Sequence, residues 1–310
     1  MTIMLKPVDS VEITILVDNY TDLLLAQNTP TVQRPLLDYG KTLIAEHGLS
    51  LLIRVRSGVR TCQFLMDAGS TDHALFENAK MIGIDLEGVE EIVVSHGHYD
   101  HIGGLDRLLR SSSCRMPVHL HPAAFARRRK IRPDGSYLDL PVPVRDEISH
   151  AGGILHLSKD PSLICQQMVM ITGEVERTTD FEQGSPVLEA EGKDGFVRDM
   201  FRDDQAVVLH LKDKGLIVIS GCAHAGIVNT VRYAGEVTGV DSVHAVLGGF
   251  HLSGPHFETI IPDTVRSLGE IDPDWIIPMH CTGFTAQVAF REAMPDKFVI
   301  STVGTTFRFE

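Results

Sequence analysis

Residues 95–105 read SHGHYDHIGGL, directly after the apolar run EIVV. His96, His98, Asp100 and His101 crowd into this stretch, and a glycine pair follows them. A β-branched run that gives way to polar residues and glycine predicts a strand opening at its end into a functional loop. On an extended chain side chains alternate, so His96, His98 and Asp100 share a face and can converge on one ion. His101 reaches a second ion from the adjacent turn. Imidazole with carboxylate suits zinc, iron or manganese better than calcium, so the motif predicts one or two divalent ions, zinc first among them.

The same punctuation recurs outward from this motif. Short apolar runs predict strands at 11–18, 49–56, 61–69, 91–96, 116–122, 153–158, 167–174, 205–213, 215–221, 243–249, 274–280 and 297–304. Helical spacing appears at 72–83, 105–111, 226–239, 260–271 and 286–294. Tight turns join 49–56 to 61–69 and 205–213 to 215–221, which predicts antiparallel hairpins, while other strands alternate with helices. The fold class is therefore α/β (α+β) with mixed sheets. No linker divides the chain, so residues 1–310 are expected to form a single domain. Three segments with little regular pattern, near 21–46, 125–152 and 174–204, are expected as loop insertions serving as lids or substrate walls.

Composition narrows the function. Hydrophobic content is 43% and charged content 22%, ordinary for a globular protein, and no apolar run is long enough to span a bilayer. A net charge of -13 argues against binding long nucleic acids, whose phosphates are held by basic surfaces. The N-terminus lacks the basic, apolar, small-residue order of a signal peptide and reads as a first strand. The cysteines, 5 in number and widely spaced without CxxC, imply neither a disulfide framework nor a zinc ribbon, and a reducing cytoplasm fits them. The expected partner is a small-molecule substrate, with no membrane; the oligomeric state stays open.

Further stretches bring a resemblance into view. FLMDAGS (64–70), SHGHYDH (95–101), LIVISGCAH (216–224) and WIIPMHCTG (275–283) resemble, in order, the motifs of the metallo-β-lactamase superfamily. That resemblance implies a four-layer αββα sandwich of two mixed sheets, with a one- or two-metal site at their edge. It implies that His96 and His98 hold the first metal, that Asp100, His101 and His280 hold the second, and that Asp67 supports a ligand from behind. Cys222 takes the place of the bridging acid, either as a ligand or as a small residue packed under the site. The motif that usually supplies a Gly-His after a strand reads TGE here (172–174), so His224 is taken as the missing ligand. His251, in LGGFHLSG, is expected in the active site as a ligand, a substrate contact or a proton donor. GCAHAGIVNT, GGFHL, PMHCTG and EHGLSLLI are more particular: they resemble the branch of dihydropterin ribofuranosyl-aminobenzene phosphate synthase-like proteins.

The resemblance implies hydrolysis by water that a divalent ion acidifies, with Asp100 and His251 as catalytic groups. The basic run ARRRKIRPDG (126–135) reads either as the solvated face of a helix or as a substrate wall. In the second case Arg127, Arg128 and Arg129 hold a phosphate or carboxylate, and Glu174 faces the substrate. The expected substrate is then small, anionic and phosphate-bearing, related to a pterin precursor. Alternatives are a lactonase or thioesterase-type hydrolase, and a metal-binding sensor or binding protein with weak or no catalysis.

Overall fold

The computed structural model describes residues 2–310. Two large sheets pack face to face. The first has eight strands in the order Val32–Gln33, Thr306–Phe309, Ser10–Val17, Ser50–Ser57, Arg60–Met66, Glu91–Val93, Met116–Leu120 and Gly153–Leu157. Its pairings are antiparallel up to Arg60–Met66 and parallel beyond it. The second has six, in the order Ser162–Ile164, Val169–Ile171, Ala206–Leu211, Gly215–Ser220, Val243–Gly249 and Trp275–Met279. It too changes from antiparallel to parallel, at Gly215–Ser220.

Alternation along each strand sorts the side chains into layers. In Ser50–Ser57, Leu51, Ile53 and Val55 join the core between the sheets, where they share a cluster with Val207, Leu209, Ile217, Ile219 and Leu247. Leu52 points the other way, into a second cluster with Leu75, Leu108 and Leu109 of the helices Asp72–Met81 and Leu105–Ser111. On the far side, Val218 and Val246 meet Val228, Val231 and Leu268 of the helices Ile227–Thr238 and Ile261–Ile271. The result is helix, sheet, sheet, helix, as a period of two in the strands and an apolar stripe on each helix require.

Several expectations change. KFVIST at 297–302 makes a single bridge, Phe298 with Ile276, and the closing strand is Thr306–Phe309. Segment 21–46 is irregular apart from Val32–Gln33, whereas 125–152 and 174–204 are built into a third sheet. Its strands are Gly195–Arg198, Leu188–Gly192, Arg128–Ile131 and Tyr137–Leu140, all antiparallel, and the helix Arg145–Ala151 follows. These strands are short, charged and largely exposed, so they lack the apolar alternation by which a half-buried strand is recognised.

The cysteine reading is also corrected. Cys62 and Cys165 are bonded across a sequence separation of 103 residues. Both belong to the core cluster between the sheets, so the bond ties one sheet to the other. This pairing removes the cysteine argument for a reducing compartment. Among the described residues, no helix is long and apolar enough to cross a membrane. A cross-link closing so long a loop restricts the unfolded chain, so Cys62→Ala/Cys165→Ala is expected to lose about 2–4 kcal/mol of stability. Urea unfolding checks this; an unchanged midpoint at unchanged slope would show that the bond adds nothing.

Candidate metal centre

The strand Glu91–Val93 stops just before the histidines. The chain bends at His96 and Gly97, His98 is extended, and Tyr99–His101 is a tight helical turn. Asp100 therefore does not continue the alternation from His98, as an extended chain would have required; the turn directs it to a different group of donors. From the second sheet, the loop after Gly215–Ser220 brings Cys222 and His224, and the turn after Trp275–Met279 brings His280. Both sheets thus contribute at one shared edge.

Three imidazole nitrogens converge in the first group. His96 Nε2 lies 3.0 Å from His98 Nδ1 and 3.2 Å from His224 Nε2. Tetrahedral zinc with bonds of about 2.0–2.1 Å places neighbouring nitrogens about 3.3 Å apart, close to this spacing. Burial lowers all three pKa values: His96 and His224 fall well below the usual imidazole range, and His98 falls to about 3. The neighbouring imidazoles, with Arg128 beside His98, add to that effect. Neutral rings with lone pairs directed at one point are what a divalent cation needs.

The second group centres on Asp100. Its Oδ2 is 3.4 Å from His280 Nε2, 3.8 Å from His101 Nε2 and 3.3 Å from His47 Nε2. His280 Nε2 is buried without a hydrogen-bond partner, a deficit that a cation between it and Asp100 would relieve. Cys222 Sγ stands 3.2 Å from His101 Nε2, and groups with both His96 and His101, so it lies between the two sets. The donors fit one or two divalent ions of the borderline class.

A supporting layer fixes which nitrogen of each ring is free. Asp67, fully buried, accepts from His101 Nδ1–H at 2.7 Å and from the Ser95 amide at 2.7 Å. The Ser95 hydroxyl stands 3.0 Å from His96 Nδ1. Asn19 Oδ1 faces His280 Nδ1 at 3.1 Å, while Asp18 Oδ1 accepts from the His280 amide at 2.9 Å. Asp67, His280 and His251 also hold left-handed backbone, at φ 60°, 52° and 47°. For residues with side chains that conformation costs energy and gathers at functional sites.

The charges set a pH dependence. Burial pulls the His101 pKa down, but Asp67 and Asp100 outweigh it and raise it to about 9. Burial would raise Asp100, yet His101 and His280 hold its carboxyl below the usual range. The metal-free protein therefore keeps a proton on His101 up to about pH 9, and a cation at Nε2 must displace it. Zinc uptake at pH 7 is expected to release protons, and apparent affinity to rise as pH climbs toward about 9. Titration calorimetry in two buffers of different ionisation heat measures this; pH-independent uptake would contradict the arrangement.

The basic run has a different role from the one expected. Arg128 is buried, on a strand and not a helix; its Nε donates to Asp199 Oδ2 at 2.7 Å and its Nη2 to Asp203 Oδ1. Asp203 Oδ2 in turn accepts the Gly97 amide at 2.8 Å, so this arginine braces the chain between His96 and His98. Arg129 pairs with Glu189 at 2.6 Å and stacks between Tyr137 and Phe196. Arg127 pairs with Glu191 at 3.5 Å. All three pair with the protein's own carboxylates, Arg128 in a buried position and Arg127 at the exposed surface. Glu174, partly exposed, sits 4.0 Å from His121 and 3.8 Å from Arg202.

His251 does join the cluster. Its ring lies 4.2 Å from that of His224, and its Nδ1 is buried without a partner. Beside it opens a cavity of about 150 Å³ lined by Phe181, His224, His251, His256 and Phe257. A larger hollow of about 630 Å³ lies over the first sheet among Glu12, Arg54 and Arg308 and holds none of the candidate donors. The sequence reading did not single out His47, Cys281, Asp18, Asn19 or Asp203. His47 stands in EHGLS directly before a glycine, and Cys281 in MHCTG two residues before one, a signal like the one that marked SHGHYDH.

Residues 47–235 match the family model of the metallo-beta-lactamase superfamily. The chain is 30% identical over 275 residues to a 7,8-dihydropterin-6-methyl-4-(beta-D-ribofuranosyl)-aminobenzene-5'-phosphate synthase of Methanocaldococcus jannaschii, covering 87% of this chain and 92% of that one. It is 31% identical over 266 residues to an uncharacterized protein of the same organism, covering 85% and 94%. Among solved structures, Tm1679, described as a metal-dependent hydrolase of the beta-lactamase superfamily, superposes with a TM-score of 0.73 at 24% identity, covering 97% of this chain and 98% of that one.

Proposed function

This chain belongs to the metallo-β-lactamase superfamily, and on that premise we propose that it is a metal-dependent hydrolase of a small, anionic, phosphate-bearing substrate with an aromatic ring. The observation that carries the metal dependence is the convergence of His96 Nε2, His98 Nδ1 and His224 Nε2 within 3.0–3.2 Å contacts. His96, His98 and His224 would hold one ion, and Asp100, His101 and His280, with Cys222 between the sets, a second. When bound, a divalent ion supplies Lewis acidity and lowers the pKa of water from about 15.7 to about 7.

The chain's own groups do the rest. Asp100, kept ionised by His101 and His280, accepts a hydrogen bond from the attacking water and orients it. His251 Nδ1, unpartnered beside His224, exchanges a proton with the leaving group. Phe181 and Phe257 offer faces on which a substrate ring packs, and the cavity between them has room for a ring, not for a whole nucleotide-sized molecule. The relative's name, with a pterin, an aminobenzene and a phosphate in it, supports that substrate class.

The test is an assay of zinc-, iron- and manganese-loaded protein against pterin-bearing phosphates, aryl phosphodiesters, lactones and thioesters. Preferred turnover of the ring-bearing phosphates supports the reading, as does His251→Ala keeping its metal while kcat falls by about a hundredfold. Preferred turnover of lactones or thioesters would replace the substrate class. Stoichiometric metal with no turnover of any of them would make the protein a binding protein.

A further inference from the structure

Two free thiols, Cys222 and Cys281, are buried at the edge of the second sheet. Their sulfurs lie within 4.8 Å of one another and of a His280 ring nitrogen. Each follows an outer member of a parallel triplet of strands, Gly215–Ser220 and Trp275–Met279, with Val243–Gly249 between them. Gly249, ending the middle strand, is what lets them approach. A Cβ there would stand 2.3 Å from the Gly221 carbonyl oxygen, 2.7 Å from Cys281 Sγ and 3.3 Å from Cys222 Cα, so any other residue would force this edge to shift. Cys281 Sγ also reaches the Cys222 carbonyl at 3.7 Å.

We propose that Cys222 and Cys281 are an oxidisable pair that a peroxide converts to a disulfide, withdrawing the Cys222 sulfur from the metal centre. The sulfurs, within 4.8 Å of one another, must close to a bonded length of about 2.05 Å, a movement we assign to rotation about the two Cα–Cβ bonds. The Cys222 sulfur attacks one peroxide oxygen, the O–O bond breaks, and water leaves a sulfenic acid. The Cys281 sulfur then attacks the Cys222 sulfur, the S–O bond breaks and a second water leaves. Two thiols are oxidised by two electrons, one hydrogen peroxide is reduced, and both thiol protons end in water.

The consequence follows from where Cys222 stands. It recurs in three donor groups: with His96 and His101, with His224 and His251, and with His280 and Cys281. A bond to Cys281 takes its sulfur from the position 3.2 Å from His101 Nε2 and removes a donor common to all three. The pair is separate from Cys62–Cys165, and the inference does not depend on the substrate.

The experiment treats the full chain, as purified and after chelation, with hydrogen peroxide, blocks free thiols with N-ethylmaleimide and maps peptides without reduction. Exposed Cys114 reports the dose. In the chelated protein a linked Cys222–Cys281 peptide is expected, with zinc affinity lowered more than about tenfold and both changes reversed by dithiothreitol. In Cys281→Ser the same dose carries Cys222 on to sulfinic acid, which dithiothreitol does not reverse. Separate Cys222 and Cys281 peptides, maleimide-labelled or individually oxidised, at a dose that consumes Cys114 would overturn the proposal. The wild-type map decides this even if Cys281→Ser fails to fold.

Discussion

His96→Ala is expected to lose its metal and its turnover together. His96 Nε2 is the nitrogen nearest both partners of the first set, 3.0 Å from His98 Nδ1 and 3.2 Å from His224 Nε2, and His96 also groups with His101 and Cys222. Truncation leaves His98 and His224, which come from opposite sheets, without the nitrogen that stands between them. Loss of a hydrogen-bond partner behind a ligand alone costs about 10–100-fold in metal affinity, so loss of the ligand should exceed about a hundredfold. Elemental analysis and kcat/KM on the same sample measure both quantities. Full metal content with lost turnover would remove His96 from the donor set, and lost metal with retained turnover would remove the metal from the chemistry.

Arg128→Ala should be the most destabilising single change in the third sheet. The side chains of Arg128, Asp199 and Asp203 are 2%, 4% and 0% exposed, so truncating the arginine strands two carboxylates away from water. Removing one member of a buried ionic group typically costs about 3–5 kcal/mol, because the remaining charges lose their partner and keep their desolvation. Asp203 also holds the Gly97 amide, so metal affinity should fall along with stability. Arg128→Lys keeps the charge without the planar fork that serves both aspartates, and should fall between wild type and alanine. Denaturant unfolding reads the energies; a loss of less than about 0.5 kcal/mol for Arg128→Ala, the size of an ordinary surface substitution, would show that the brace carries no load.

The sequence was most legible where local chemistry and periodicity coincide. SHGHYDH announces donors because four donor-type residues at a strand end have few other uses, and strands such as Ser50–Ser57 alternate cleanly because each face meets a different apolar layer. The third sheet was hidden, since RRKI and LEAEG pair through backbone and charge with little burial. ARRRK reads as a free basic patch because its partners, Glu189, Glu191, Asp199 and Asp203, lie about sixty or more residues away. The Cys62–Cys165 bond is equally remote, decided by which residues two sheets bring face to face. Asp100 shows the finer limit: it was readable as a candidate donor, but the turn that sends it away from His98 was not.

The contribution of both sheets to one edge also orders events in the life of the chain. A ribosome delivers His96 and His98 long before His224, which lies 128 residues beyond His96, and His280 is held by Asp18 across 262 residues. A nascent chain thus displays His96 and His98 without His224, and Asp100 and His101 without His280, so neither donor set is complete until the second sheet is made and docked. On these donor sets, loading with metal would be a closing step of maturation, open to finished molecules and not to partial ones.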